Sequence, residues 1–352
     1  VIAALAVLAL QAPEWDPART WVFMVGVLEW KDPNVERYPK EGRRDAELAA
    51  LLEKRGVPRT QIVFLKDEEA TLARIRKEFV DFLAKARGTL FIYYAGHGVK
   101  DDAGNAYFLP YDSVDAIEKS GWSIPSLFDD LEKHAGAAQA LVTADCCYSG
   151  ALADEARKRK LRTACLASSR ASAESTGRWT FTEQLLAGFR GEPRLDLDGD
   201  GQVRLEELAR DTEIEMAFSD EQLSTFHAAG VPPALSLSSA KPKSHPRVGE
   251  RLEAKRMDGW RRASIVQVED ARVRVRFVDE SPEEWVGADH LRAWNPAHRA
   301  AGDAVEVKWR KAWYPARILE GKLGVHRIHY EGHGDEWDEW VSSSRVRPRR
   351  KE

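Results

Sequence analysis

The chain is poor in cysteine, with three in 352 residues, too few for a disulfide-stapled scaffold. An odd count also leaves at least one thiol unpaired within the chain. Long apolar runs are missing as well. The one extended run, Val1–Leu10, falls well short of the roughly 20 residues that a membrane-spanning helix needs. Positive charge is not in surplus, with 53 Lys and Arg against 57 Asp and Glu, which speaks against nucleic acid as the main partner. Apolar residues are plentiful at 43%, so the chain can build ordinary cores, and its length suits two to three domains. Tryptophan is abundant, and Trp260, Trp285, Trp294, Trp309, Trp313, Trp337 and Trp340 crowd the last third.

The run Val1–Leu10, followed by Gln11, Ala12 and Pro13, has the character of a secretory h-region with Ala12 at the cleavage edge. Residues 1–12 are therefore expected to be a signal-peptide remnant, and the chain to be exported; without such a signal it would stay cytoplasmic. From residue 19 to 240 strand-like and helix-like stretches alternate. Trp21–Leu28, Gln61–Leu65, Thr89–Tyr94, Ala140–Thr143 and Arg162–Ala167 read as buried strands, and Asp45–Arg55 as a helix. Leu72, Ile75, Phe79, Phe82 and Leu83 form the stripe of a second helix. The alternation predicts an α/β domain, a mostly parallel sheet with helices on both faces. Functional side chains then belong at the C-terminal strand ends. A Pro/Lys linker at 241–247 precedes an internal repeat. Val248–Lys255 matches Ala301–Lys308, Trp260 matches Trp313, and Arg274–Phe277 matches Arg327–Tyr330. Each copy, 248–296 and 300–350, reads as a small twisted β-barrel.

Two segments carry chemistry. Phe91–Gly98 is an apolar strand entering a Gly-His-Gly turn at His97, and Leu141–Gly150 is another strand ending in Asp145-Cys146-Cys147-Tyr148-Ser149-Gly150. On parallel strands both tips emerge at one sheet edge, where His97 can activate Cys147. A free thiol is only a few per cent thiolate at neutral pH. The same imidazole can later protonate a leaving amine, and Gly98 offers a backbone N–H to an oxyanion. Taken singly, a core histidine and a buried cysteine are ordinary; both on Gly-flanked strand tips are not.

This pair resembles the caspase-like cysteine peptidases of the caspase–hemoglobinase fold, and most of all metacaspases and their bacterial relatives. The shared pattern is an apolar strand with Ala-Gly-His-Gly, then Asp-x-Cys-x-Ser-Gly, over residues 20–240. Tyr148 stands where a His often follows the metacaspase nucleophile. The family spacing from Asp145 selects Cys147 as nucleophile and leaves Cys146, like Cys165, as core. The resemblance implies cleavage of protein substrates after Arg or Lys, with Asp45 and Asp145 at the base of the P1 pocket; a helix N-cap is the alternative role for Asp45. Ala95 replaces a family Ser before the Gly-His-Gly turn. The basic run Arg157–Lys160 follows the nucleophile where family members self-process, although such runs are commonly solvated helix faces. The resemblance further implies an activating calcium held by Asp112, Asp129, Asp130 and Asp154. An inert caspase-fold scaffold that only binds is the competing reading.

Residues 196–207 fit an EF-hand loop on their own spacing. Asp196, Asp198, Asp200 and Glu207 supply carboxylates, Gly201 the turn and Gln202 its carbonyl, so Ca²⁺ is the expected cofactor. Arg204 takes position nine, where a ligand or water-holding residue is usual, and the loop has no second copy. The repeat at 300–350 resembles Tudor-knot or chromo-barrel modules, and the one at 248–296 is a weaker Tudor-like relative. Trp309, Trp313, Tyr330 and Trp337 are the candidates for an aromatic cage around a cation; the ligand of these barrels is not readable, and in an exported chain it would be a protein or envelope component.

Overall fold

The computed structural model describes residues 13–114, 116–136, 138–173 and 177–349, so the apolar run Val1–Leu10 and Ala12 lie outside the described residues. The chain runs through β1 (Thr20–Gly26), α1 (Arg44–Lys54), β2 (Ile62–Lys66), α2 (Leu72–Lys85) and β3 (Thr89–Ala95). A small antiparallel excursion follows: β4 (Gly98–Lys100), β5 (Ala106–Phe108), the short α3 (Ile117–Ser120) and β6 (Trp122–Ser123). The main sheet resumes with α4 (Ile124–His134), β7 (Gln139–Asp145), α5 (Ala151–Arg157), β8 (Thr163–Ala167) and α6 (Thr180–Arg190). After β9 (Gln202–Arg204) and α7 (Leu205–Asp220) come β10 (Thr225–Ala229) and β11 (Ser236–Ser239).

The six-stranded sheet has the order β10-β8-β7-β3-β1-β2, parallel except for β10. Its four inner strands, β8, β7, β3 and β1, are buried on both faces, as their unbroken apolar runs require. Phe23 and Val25 of β1 point into a core with Ile75 and Phe79 of α2 and Leu127 and Phe128 of α4. Val22 and Met24 point the other way, to Leu48 and Leu52 of α1 and Phe181 and Leu185 of α6. Local signals set the helix starts. Thr71 caps α2 by accepting from the Arg74 N–H, and Ser123 caps α4 in the same manner. The chain leaves β1 toward β2 on one side and returns to β3 on the other, so the strand order reverses beside β1. In open α/β sheets ligands bind beside such a reversal, beyond the C-terminal strand ends.

The two repeats follow the same plan. β12 (Arg251–Arg256), β13 (Gly259–Glu269), β14 (Arg272–Phe277), β15 (Glu284–Gly287) and β16 (Leu291–Ala293) form a sheet in the order β15-β14-β13-β12-β16. β17 (Ala304–Trp309), β18 (Ala312–Lys322), β19 (Val325–Tyr330), β20 (Glu339–Ser342) and β21 (Val346–Pro348) repeat it as β20-β19-β18-β17-β21. The fold is thus a mostly parallel sheet covered by helices, followed by two small antiparallel barrel-like sheets, as the alternating pattern predicts. Both repeats rest on α7. Arg251 reaches Asp211 at 2.8 Å and Glu215 at 2.6 Å, Trp294 packs edge-on against Phe218, and Val325 joins Ala217 and Leu223. Among the described residues no helix is long and apolar enough to cross a membrane.

Candidate active site

Ala95 and Asp145, the last residues of β3 and β7, are register partners, and the Gly96 N–H donates to the Asp145 carbonyl at 3.4 Å. His97 and Cys147 each lie two residues farther on, so both emerge at one sheet edge. A Cβ on Gly98 would overlap the Cys147 carbonyl oxygen and approach Cys146 Sγ to 3.0 Å. Only glycine lets the two tips come this close. Cys147 is half-buried, whereas Cys146 and Cys165 are buried in the core. Burial pushes the Cys146 thiol well above its ordinary range and the Cys165 thiol up to about 12, so neither supplies a thiolate. The turn after Cys147 has Tyr148 in the left-handed region, with φ of 57°. Behind it, the Tyr148 N–H donates to the Ala173 carbonyl and the Ser149 N–H to Ser169 Oγ.

The imidazole of His97 is held from three directions. Its Nε2 lies 2.8 Å from the Glu36 carbonyl, its Nδ1 2.9 Å from the Tyr38 hydroxyl, and the Trp30 ring covers it at 4.4 Å between centroids. A carbonyl only accepts, so the partners assign the proton to Nε2 and leave Nδ1 to accept from Tyr38. Burial, followed by the nearby thiols of Cys147 and Cys146, raises the Tyr38 hydroxyl far above its usual range and keeps it protonated. Trp30, Glu36 and Tyr38 were not singled out from sequence. They sit in the segment between β1 and α1, where no periodicity or motif marks them.

The carboxylate of Asp45 is fully buried at the start of α1, and it already holds a cation. Arg43 forks onto it, Nε at 2.8 Å from Oδ1 and Nη2 at 2.7 Å from Oδ2, while Nη1 reaches Asp67 at 2.8 Å and Nη2 the Gly26 carbonyl at 3.0 Å. Asp145 is buried at the end of β7, two residues before Cys147. Its Oδ2 accepts from the Thr182 hydroxyl at 2.6 Å and the Thr182 N–H at 3.2 Å. Burial raises its pKa to about 7, with Asp220 adding to the rise and the Thr182 bonds opposing it. Both carboxylates are close enough to Tyr93 to raise its hydroxyl, after burial itself.

In the loop 196–207, Asp196, Asp198 and Glu207 bring carboxylate oxygens within 4.8 Å of one another. Glu207 Oε1 accepts from the Leu197 N–H at 2.7 Å, and its Oε2 from the Arg204 N–H at 2.8 Å. Arg204 folds back onto Asp198 at 2.9 Å and onto Asp200, filling the loop with a cation of its own. The side chain of Gln202 accepts from Ser236 Oγ, and β9 pairs with β11 where a second EF-hand would ordinarily pair. An all-oxygen donor set of this kind fits a hard divalent cation. The other acidic set does not assemble. Asp112 instead accepts from the Leu72 N–H at the start of α2, Asp129 pairs with Arg159, and Asp154 with Arg157. Asp130 is raised by burial first and by Asp129 after it. Arginine partners and the first N–H of α2 have taken three of these carboxylates. The basic run is likewise engaged in part, Lys158 and Arg159 both pairing with Glu155.

In the second repeat Trp309, Tyr314, Tyr330, His333 and Trp337 close a ring, with neighbouring centroids 5.7 to 6.4 Å apart. Trp309 and Trp337 form its open side, 39% and 51% exposed. Trp313 is not part of it: Arg347 stacks on that ring at 4.1 Å, as Arg292 stacks on Trp260 in the first repeat at 4.4 Å. Adjacent strand residues face opposite sides, so Tyr314 takes the place expected for Trp313. The first repeat has no such ring; Arg256, at the position of Trp309, lies over Phe277 at 4.9 Å.

Comparison with known families matches residues 302–351 to the Agenet domain. No curated protein matches the chain. Among solved structures the chain is similar to caspase-1 from Spodoptera frugiperda, at 12% identity, 67% of this chain, 96% of that one and a TM-score of 0.46. It is also similar to the protein GSU0716 from Geobacter sulfurreducens, at 16% identity, 63% of this chain, all of that one and a TM-score of 0.43. The repeat region is similar to the Arabidopsis thaliana AGDP1 AGD34 structure, at 18% identity, 29% of this chain, 80% of that one and a TM-score of 0.15.

Proposed function

We propose that the chain is a cysteine endopeptidase of the metacaspase type, using His97 and Cys147 to cleave protein chains after Arg or Lys. The observation that carries this reading is the meeting of two Gly-flanked strand tips, Gly98 against Cys147, beside an imidazole whose Nε2 is fixed by the Glu36 carbonyl. Cys147 Sγ attacks the P1 carbonyl carbon as His97 Nδ1 takes the thiol proton. The Tyr38 hydroxyl gives up Nδ1 at that point. The Gly98 N–H receives the oxyanion. His97 then returns the proton to the leaving amine, and a water, deprotonated by the same nitrogen, opens the thioester.

Preference for a P1 cation is supported by two buried carboxylates at this edge. Asp45 already holds a guanidinium in fork geometry, so a P1 arginine competes with Arg43 for it. Asp145, midway in ionisation near pH 7, supplies negative charge as pH rises. Asp196, Asp198, Asp200, the Gln202 carbonyl and Glu207 would hold calcium, which supplies charge neutralisation where the loop enters α7. The aromatic ring of the second repeat suits a methylated or guanidinium cation on a partner protein. This docking role also fits a scaffold without catalysis, and export on Val1–Leu10 would make the partner an extracellular or envelope protein. Treatment with an arginyl chloromethyl ketone tests the reading: covalent mass on Cys147, absent with an aspartyl analogue, is expected, and no labelling would count against it.

A further inference from the structure

Residues 27–43 connect β1 to α1 without helix or strand, a long connection of the kind that is usually functional. All three groups that hold the imidazole of His97 come from it: Trp30, the Glu36 carbonyl and Tyr38. A segment that long holds a ring in place only if its own ends are fixed. Both ends converge on one side chain. The Leu28 N–H donates to Asp67 Oδ1 at 2.9 Å, and Arg43 Nη1 donates to Asp67 Oδ2 at 2.8 Å. Lys40 adds a third contact at 3.4 Å while also pairing with Glu29 at 2.6 Å.

The placement of Asp67 follows from the sheet. Gly26 and Lys66 are register partners at the ends of β1 and β2, so residue 67 lies directly beside the start of the connection. Its backbone has φ of 45°, a region that Asp and Asn tolerate better than most residues. The side chain is 8% exposed. Burial pushes its carboxyl up, but the Leu28 N–H and Arg43 outweigh that and hold it ionised.

We infer that Asp67 is a positioning residue for His97: it ties both ends of segment 27–43 and so fixes the three groups that orient the imidazole. The inference rests on His97 serving as the catalytic acid and base, since otherwise its orientation has no consequence for turnover.

The test uses the full chain with Asp67→Asn and Asp67→Ala. Asn keeps an acceptor for the Leu28 N–H and tolerates the backbone angle but loses the ion pair; Ala loses both. For a peptide with Arg at P1, kcat should fall about 10-fold in Asp67→Asn and about 100-fold in Asp67→Ala with KM little changed, the usual scale for a misaligned catalytic group. Nitrogen-15 shifts of the His97 ring should report one tautomer, with Nε2 protonated, in the native chain and a mixture in Asp67→Ala. If Ala does not fold, Asn decides. Native kcat and an unchanged tautomer in the variants would overturn the inference, as would a loss confined to KM. A native chain that turns over no peptide, yet whose His97 tautomer follows Asp67, would instead sink the peptidase reading and leave the tie standing.

Discussion

Gly98 and Cys147 approach so closely that a single methyl group on residue 98 would collide with the Cys147 carbonyl oxygen. The obstructing atom is backbone, so the two strand tips, not a side chain, must move apart. Gly98→Ala should therefore leave the sheet folded but displace the nucleophile from His97. A loss of kcat/KM of roughly 100-fold is expected for a displacement near 1 Å. Steady-state kinetics beside a circular-dichroism melt checks both halves.

With Asp145 in the proposed P1 pocket, stability and binding of a P1 arginine should depend on pH in opposite directions. Its folded pKa, raised by burial to about 7, exceeds the unfolded value near 3.9, so its protonated form favours the fold. That contribution is complete below about pH 4 and is lost as pH rises through 7, up to ~4 kcal/mol over the whole span. The urea midpoint should fall between pH 5 and 8, and less so in Asp145→Asn. Over the same range KM for a P1 arginine peptide should fall as the carboxylate forms, while KM for the neutral citrulline analogue should not.

The scaffold was largely legible in the sequence, because strands buried on both faces write themselves as unbroken apolar runs. β3 and β7 also displayed His97 and Cys147 at Gly-flanked ends. What stayed hidden depends on pairing between distant or neighbouring side chains. Nothing in the Asp45 context signals that Arg43, two residues earlier, occupies its carboxylate. Tyr38 lies in a segment without periodicity, and its use is visible only once His97 is beside it. Trp313 looked like Trp309 in composition, but the twofold alternation of β18 turns it outward to Arg347 and Tyr314 inward. Asp112 is held by the Leu72 N–H at the start of α2 rather than beside the other acidic residues.

Arg204 occupies the acidic loop as an internal counter-ion, so the proposed calcium would have to displace it. Arg204→Gln should tighten calcium binding several-fold, and Glu207→Gln, which removes the charge of the twelfth position, should weaken it at least 10-fold. Isothermal titration with calcium on the full chain reads both, and equal affinity in all three proteins would count against this site.

The aromatic ring and Trp313 should separate cleanly by mutation. Trp337→Ala, at the exposed side of the ring, should weaken binding of a trimethyl-lysine peptide by about 0.5–1 kcal/mol, the range of an exposed cation–π contact, with little change in melting. Trp313→Ala removes the stack on Arg347 and should lower the melting temperature while sparing affinity. Fluorescence titration and thermal melts on the same samples distinguish the two.

The most direct measurement compares turnover of four peptides that differ only at P1, carrying Arg, Lys, Asp or citrulline, in the native chain and in Cys147→Ala. The account predicts cleavage after Arg and Lys, little after citrulline, none after Asp, and none at all in the variant. Equal cleavage of Arg and Asp peptides, or activity that survives the loss of Cys147, would contradict it.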